Sequence, residues 1–383
     1  MTTKRAQPAA PFGLDTPLIA GMCLLGAGRG MVVYGFTPGD IQWRKNIVRG
    51  FQYQGAGGWI RRSMPFPEAV YDRLPSRRTE RRRVVRRTKR RLLRVLGDRY
   101  FNREFFDKWR VHKLLADDPD YGFMLPVTAL YRGRAQLRRW LARYRMVWIK
   151  PRDGTQGRGI TVIRRAAGGY HVYRRRDEQW FRRKVGSLKM AARLVRRQGG
   201  RRRYLVQQGL NLSRYGGRPF DLRILLQKNR QGAWTRTKTI ARVAARGSVT
   251  SNISTGGLGR SFSRVAAKAS GAVSRQPEEL TAKIHALALG LARRIEERLG
   301  YLLGEVALDL GIDVRGNVWF IEANSKPFRT TSARKNLQST VRKSLLRPLL
   351  YAEYVTSRSG YGPDRKNGTG GLISGLQAQE DRR

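Results

Sequence analysis

The stretch from Leu303 to Pro327 constrains this chain more than any other. Apolar and polar residues alternate on both sides of Arg315-Gly316-Asn317, which predicts two β-strands joined by a turn. Strand side chains point to opposite faces in turn. Glu322 and Asn324 then share one face, with Ile321 and Ala323 on the other. In the preceding strand Glu305, Ala307 and Asp309 share a face, against Val306, Leu308 and Leu310. Pairing the strands brings Asp309, Glu322 and Asn324 together. An all-oxygen cluster of this kind suits Mg²⁺ and suits zinc poorly.

The acids of this cluster stand out because acids are scarce. The 383-residue chain has 79 Lys and Arg against 27 Asp and Glu, a net charge of +52. Such a surface attracts polyanions such as nucleic acid, anionic lipid or polyglutamate-type polymers. An arginine bias at solvated positions accounts for part of the same excess. A hydrophobic content of 40% is enough for two or three domains with real cores. Cys23 is the single cysteine, so an intramolecular disulfide and a cysteine metal site are excluded. Three scattered histidines exclude a histidine-rich metal site. The apolar run from Pro17 to Phe36 carries Arg29 and five glycines, and reads as two strands around a glycine-rich turn rather than a membrane span. No signal peptide is expected from the residues before it.

Along the chain, residues 1–16 read as disordered and 17–75 as short strands and turns. Residues 77–94 form a strongly basic helix, with Val84, Val85, Leu92 and Leu93 as a thin apolar stripe. Its arginines fit either polyanion binding or a solvated connecting helix. A nucleic-acid interface would rest on charge alone, since aromatic interleaving is missing. Further helices are expected over 101–115, 137–144 and 278–299. Strands are expected over 146–151, 161–164 and 204–208, with a hairpin of 220–228 and 233–243. The last two dozen residues read as a flexible tail.

Gly154-Thr155-Gln156-Gly157-Arg158-Gly159 is a glycine-rich turn between two strands. Its backbone N–H groups can cradle phosphate oxygens. No Gly-Lys-Ser/Thr follows, so it is not a Walker loop, and a strand rather than a helix follows, so it is not a dinucleotide fingerprint. Lys150, at the end of the preceding strand, can reach phosphates under such a loop. Asp221 and Arg223 share one strand face. Across the hairpin Arg236, Lys238, Ile240 and Arg242 are expected to share another, which makes Arg223 and Arg242 candidates for a charged ligand. Residues 251–257 form a polar, glycine-rich loop suited to a substrate-facing position.

The order of these pieces resembles the ATP-grasp superfamily, and within it the YheC/YheD-type proteins associated with endospore coats. The matching stretches are Pro65–Arg73, Phe105–Trp109, Ile149–Pro151 with Gly154–Ile160, Pro219–Ile224, Ser251-Asn252 with Gly256-Gly257, and Gly304–Pro327. The resemblance implies a mixed α/β (α+β) ATP-grasp fold with an N-terminal pre-grasp-like region over 17–98. The ATP-grasp domain would span 99–350, with a nucleotide lid around 146–205 and a metal and substrate lobe over 206–330. A flexible tail would cover 358–383. It implies that Asp309, Glu322 and Asn324 hold two Mg²⁺ ions against ATP. Lys150 and the 154–159 loop would contact the phosphates, with either Lys108 or Lys113 as a second phosphate contact. Gln207 and Gln208 stand where many relatives carry a glutamate toward adenosine, and Asn252 would also face the nucleotide. The implied reaction is ligation through an acyl phosphate, with Arg223 and Arg242 holding the γ-phosphate or the acyl phosphate. The implied setting is the cytoplasm of the mother cell or the spore coat, with a carboxylate, an amine and an acidic coat protein or anionic polymer as partners. The alternative implied is a weakly catalytic coat protein that keeps the fold and binds polyanions.

Overall fold

The computed structural model describes residues 10–154, 159–176, 179–199, 203–248, 257–270, 273, 276–329 and 338–359. The N-terminal part comprises α1 (Thr16–Ala27), β1 (Ile41–Gln42), β2 (Ile47–Tyr53), β3 (Trp59–Pro65), β4 (Val70–Tyr71), α2 (Arg77–Glu80), α3 (Arg83–Leu96) and β5 (Tyr100–Phe101). Strands β1, β2 and β3 form one antiparallel sheet, and β4 pairs with β5 in parallel.

Three expectations fail in this part. Residues 16–27 form a helix rather than strands. Gly21 and Gly26 sit inside it because a Cβ there would meet Leu345 Cδ1 at 2.7 Å and Val33 Cγ2 at 2.4 Å. Tertiary packing against the C-terminal helix overrides the weak local preference. Residues 10–16 are also ordered: the Phe12 ring packs edge-on against Phe51 and Trp59. The basic segment is two helices, broken at Arg81-Arg82. Its buried side is Val85, Thr88, Leu92 and Leu96, while Val84 is exposed. Each fully buried Val or Leu contributes about 2 kcal/mol to holding α3 on the N-terminal sheet.

Next come α4 (Lys108–Ala116), β6 (Thr128–Leu130), α5 (Arg134–Arg143), β7 (Met146–Pro151), β8 (Thr161–Ala166), β9 (Gly169–Arg176), β10 (Gln179–Val185), α6 (Leu188–Gly199) and β11 (Tyr204–Gln208). The strands run in the order β10-β9-β8-β7-β11-β6. Helix α4 is shorter than expected because Asn102 adopts a left-handed backbone, φ 54. Its buried side chain donates to the carbonyls of Glu305 and Ser325 and accepts from Gly304 N. Asp107 then caps α4, accepting from the backbone of Trp109 and Arg110.

The remaining elements are β12 (Arg214–Tyr215), β13 (Arg218–Lys228), β14 (Trp234–Val243), β15 (Leu258–Arg260), α7 (Phe262–Ala266), α8 (Pro277–Leu299), β16 (Glu305–Ile312), β17 (Val318–Asn324) and α9 (Gln338–Arg358). Their sheet runs β15-β14-β13-β16-β17, with β12 on β13. One face of this sheet packs its Val, Leu, Ile and Phe against α4, α7 and α8. The other face is polar. It forms a wall of a cavity of about 970 Å³ whose opposite side comes from β7 and β11. No helix among the described residues is long and apolar enough to cross a membrane.

Candidate active site

Strand register builds the polar wall. Arg223 on β13 lies opposite Asp309 on β16, which lies opposite Glu322 on β17. One row further along, Leu225 pairs with both Lys238 and Ala307, and Ala307 pairs with Asn324. In the other direction Asp221 pairs with Arg242. Two bulges adjust the expected faces. One at Leu225/Leu226 separates Arg236 from Lys238, so Arg236 is exposed and lies outside the cavity. The other, between Asp309 and Leu310, brings Ile321 onto the cavity lining, although simple alternation puts it on the far face.

Arg223 donates to both oxygens of Asp309, from Nε at 2.6 Å and from Nη2 at 2.7 Å. Arg242 grips Asp221 in the same way, 2.6 Å from each nitrogen, and its Nη2 lies 3.0 Å from Asp309 Oδ2. Burial pushes the Asp309 carboxyl pKa up, but the two guanidinium groups outweigh it and hold the group well below the usual carboxylate range. Lys108, at the start of α4, donates to Glu322 Oε1 at 2.7 Å and to the Gly154 carbonyl at 3.2 Å. The entry to the glycine turn is tied to the same helix. Arg152 Nε donates to the Asp107 carboxylate, and the Lys108 backbone N–H donates to the Arg152 carbonyl.

Lys150 donates to Gln207 Oε1 at 2.5 Å, and Gln207 Nε2 donates to Thr128 Oγ1 at 2.9 Å. Burial lowers the Lys150 pKa to about 8, with Glu322 opposing that shift and Lys108 adding to it. A neutral amide leaves this lysine's charge uncancelled, whereas a glutamate would pair with it. Gln208 also lines the cavity, and its Oε1 accepts from Val127 N.

A family model, YheC/D-like ATP-grasp, matches residues 97–355. The chain belongs to this ATP-grasp family. It is 31% identical over 331 residues to the Bacillus subtilis (strain 168) endospore coat-associated protein YheD, covering 86% of this chain and 72% of that one. It is 23% identical over 304 residues to YheC of the same organism, also named endospore coat-associated, covering 78% and 81%. Among solved structures, the ATP-grasp ligase PsnB complexed with minimal precursor aligns over 89% of this chain and 97% of that one. Its TM-score is 0.46 at 15% identity.

ATP-grasp enzymes in general use ATP and Mg²⁺. The residues here fit such an ion. Asp309 and Glu322 offer hard carboxylate oxygens on one face. The Asn324 amide beside them has a buried nitrogen without a hydrogen-bond partner. Among the described residues no three His, Cys, Asp or Glu side chains converge, so a third donor here would have to be the Asn324 amide oxygen. A cation there would share the carboxylate oxygens with Arg223 and Lys108.

Of the two lysines left open by spacing, Lys108 lines the cavity, while Lys113 is exposed on α4 and does not. The side chain of Lys113 is one helical turn and more from Lys108 and emerges to solvent. Gly154 lines the cavity, and Gly159 takes φ +76, a conformation that favours glycine. Thr155, Gln156, Gly157, Arg158 and Asn252 lie outside the described residues, so their expected phosphate and nucleotide contacts have no geometry here. Arg73, Arg77, Lys326 and Arg329 also line the cavity and were not singled out as site residues. Arg77 was read as part of a surface helix. It donates instead to the carbonyls of Phe106 and Asp153 and lies over the Phe105 ring. The cue for Arg73 and Lys326 is their position inside the family-like stretches Pro65–Arg73 and Gly304–Pro327.

Proposed function

We propose that this ATP-grasp protein is an ATP- and Mg²⁺-dependent ligase that joins a carboxylate to an amine through an acyl phosphate. One observation carries the reading: Lys108, Lys150, Arg223 and Arg242 converge with Asp309, Glu322 and Asn324 on one cavity. Attack of a carboxylate on a triphosphate brings like charges together, and fixed cations are what offset that repulsion. Mg²⁺, held by Asp309, Glu322 and Asn324, would supply the remaining neutralisation at the phosphates.

In the first step a substrate carboxylate oxygen bonds to the γ-phosphorus. The bond from that phosphorus to its bridging oxygen breaks, and ADP leaves with the electron pair. Lys150 and Lys108 hold phosphate oxygens, and Arg223 and Arg242 steady the transferred group. In the second step the amine nitrogen attacks the acyl carbon. The carbon–oxygen bond to phosphate breaks, inorganic phosphate leaves, and the amine gives its proton to solvent. No side-chain nucleophile is required.

The similarity to YheD and YheC supports a role in spore coat or envelope assembly, within the mother cell or at the coat. The test is ADP release with a panel of acids and amines, with hydroxylamine as a trap that converts an acyl phosphate to a hydroxamate. Acid-dependent ADP release with hydroxamate formation is expected. Bound Mg-ATP without ADP release for any acid would overturn the ligase reading. It would favour the second one, a coat protein that keeps the fold and binds a polyanion. The exposed arginines of α3 are the observation behind that reading.

A further inference from the structure

Among the described residues, nine cationic side chains line the cavity against four carboxylates. Eight of the nine already have an acceptor within the chain. Arg73, Lys108, Arg223, Arg242, Lys326 and Arg329 have carboxylates. Lys150 has the Gln207 amide, and Arg77 has backbone carbonyls. Lys238 is the exception: it is half-buried and has no hydrogen bond or ion pair among the described residues. An unpaired lysine in a cavity wall otherwise lined with paired cations is a reason to look for an anionic ligand.

Its place in the sheet says where that anion would lie. Lys238 belongs to the row of Leu225, Ala307 and Asn324, one row away from Arg223, Asp309 and Glu322. The next row holds Gln227 opposite Glu305, and Gln227 donates to the Ser344 carbonyl, so α9 closes that end. Strand spacing and rise put the Lys238 and Asp309 backbones about 12 Å apart. The lysine stem covers part of that gap. Leu225, Ile240 and Ala307 are the apolar floor between the two positions, and Val341 is on the α9 side.

On the ligase reading above, we propose that Lys238 anchors a second carboxylate of the acid substrate, away from the one that attacks ATP. The acid substrate is then a linear dicarboxylate with a short aliphatic spacer, either free or as the C-terminal acidic residue of a peptide, whose side-chain and terminal carboxylates supply the pair. The spacer lies over Leu225, Ile240 and Ala307. The reacting carboxylate reaches the row of Arg223 and Asp309, and the other end meets Lys238. Lys238 is a specificity-determining residue, not one that touches the reacting phosphorus.

Calorimetric titration tests this with glutarate, triglutamate and butyrate as probes, with and without a nonhydrolysable Mg-ATP analogue. Wild type is expected to bind glutarate or triglutamate at least tenfold more tightly than butyrate. Binding by triglutamate alone would identify the peptide as the source. Lys238→Met is expected to erase the preference and Lys238→Arg to restore part of it, both with nucleotide affinity close to wild type. That last readout shows that each variant is folded. Equal affinity for all three probes in wild type, or an undiminished preference in Lys238→Met, would overturn the proposal. Failure of wild type to bind the nucleotide would sink the ATP reading instead, and the acid titrations would still decide the role of Lys238.

Discussion

Arg223 holds both carboxylate oxygens of Asp309 across the β13–β16 ladder, at 2.6 and 2.7 Å. The acid best placed to bind a metal is therefore already neutralised by a cation best placed to bind phosphate. On the ligase reading, loading the site would be an exchange: Asp309 would pass to the metal, and Arg223 would turn to phosphate oxygens. Asp221 matters to this exchange because it keeps Arg242 paired throughout.

Asp309→Asn and Glu322→Gln separate stability from metal binding. Removing one partner of a buried, charged pair costs about 3–5 kcal/mol. Arg223 is partly solvated and Arg242 keeps Asp221, so Asp309→Asn should fall at the low end, about 3 kcal/mol in chemical denaturation. Among the described residues Glu322 has one ion-pair partner, Lys108, and more solvent, so Glu322→Gln should cost about 1 kcal/mol or less. Both variants should lose the Mg²⁺ dependence of nucleotide binding. If Mg²⁺ still tightens nucleotide binding in Glu322→Gln as it does in wild type, the metal assignment is wrong.

Lys150 makes nucleotide binding depend on pH. Its pKa in the folded protein is about 8, below the ordinary lysine value because it is buried. Above pH 8 the empty site holds a neutral lysine, and a triphosphate must draw a proton back. Nucleotide affinity should therefore fall as pH rises past 8, by at most about tenfold per unit. Stability of the nucleotide-free protein should move the other way. Between the folded and unfolded pKa values the unfolded chain binds more protons, so stability rises with pH in that window. Lys150→Met should flatten both profiles. A wild-type affinity that is level from pH 7 to 9.5 would count against the assignment.

The site's centre was legible in the sequence because alternation is a strong rule over two adjacent strands. Asp309 and Glu322 pair across β16 and β17, and Asn324 lies one row further along, as the period of two requires. What the sequence could not show was the count of residues in each ladder. The bulges beside Thr237 and Ile321 remove Arg236 from the cavity and add Ile321 to it, and no local residue pattern marks them. The α1 error has a different cause. Pro17–Phe36 is rich in glycine, which locally argues against helix. Gly21 is there to admit Leu345, a distant partner that a local reading cannot see, and Gly26 admits Val33, which folds back on the helix. The split of residues 77–94 was hidden because Arg81 and Arg82 are good helix formers at a break imposed by docking on Glu80, Lys89 and Asp72.

Glu305 joins the N-terminal part of the chain to the ATP-grasp sheet. It is fully buried and accepts from Tyr71 Oη, Arg73 Nη1, Gln227 Nε2 and Arg329 Nη2. Arg73 continues the network to Asp15 at 2.9 Å. Glu305→Gln leaves two buried guanidinium groups short of a charge and sets an N–H group against them. The expected loss is about 3–5 kcal/mol. Chemical denaturation should show it, and limited proteolysis should show earlier cleavage before residue 100. A loss below 1 kcal/mol would mean that the two parts are held by apolar contacts such as Phe101 against Tyr351.

The exposed face of α3 should bind a polyanion without help from the cavity. Arg83, Arg86, Arg87, Arg90 and Arg94 are all exposed, while Val85, Leu92 and Leu96 anchor the other side. Lys89 is committed to Glu80 and Asp72, and Arg91 lies over the Trp43 ring, so neither belongs in the test. Single exposed charges contribute about 1 kcal/mol or less, so binding has to come from the array. Each contact to a dense polyanion releases counterions, which makes affinity fall steeply with salt. Replacing the five arginines with Gln should lower the salt needed to elute the protein from heparin or polyglutamate and flatten the salt dependence. Nucleotide affinity and denaturation midpoint should stay near wild type, because no replaced side chain lines the cavity or the core. Unchanged elution would show that this face is merely solvated, and the polyanion reading would then have to rest on another part of the basic surface.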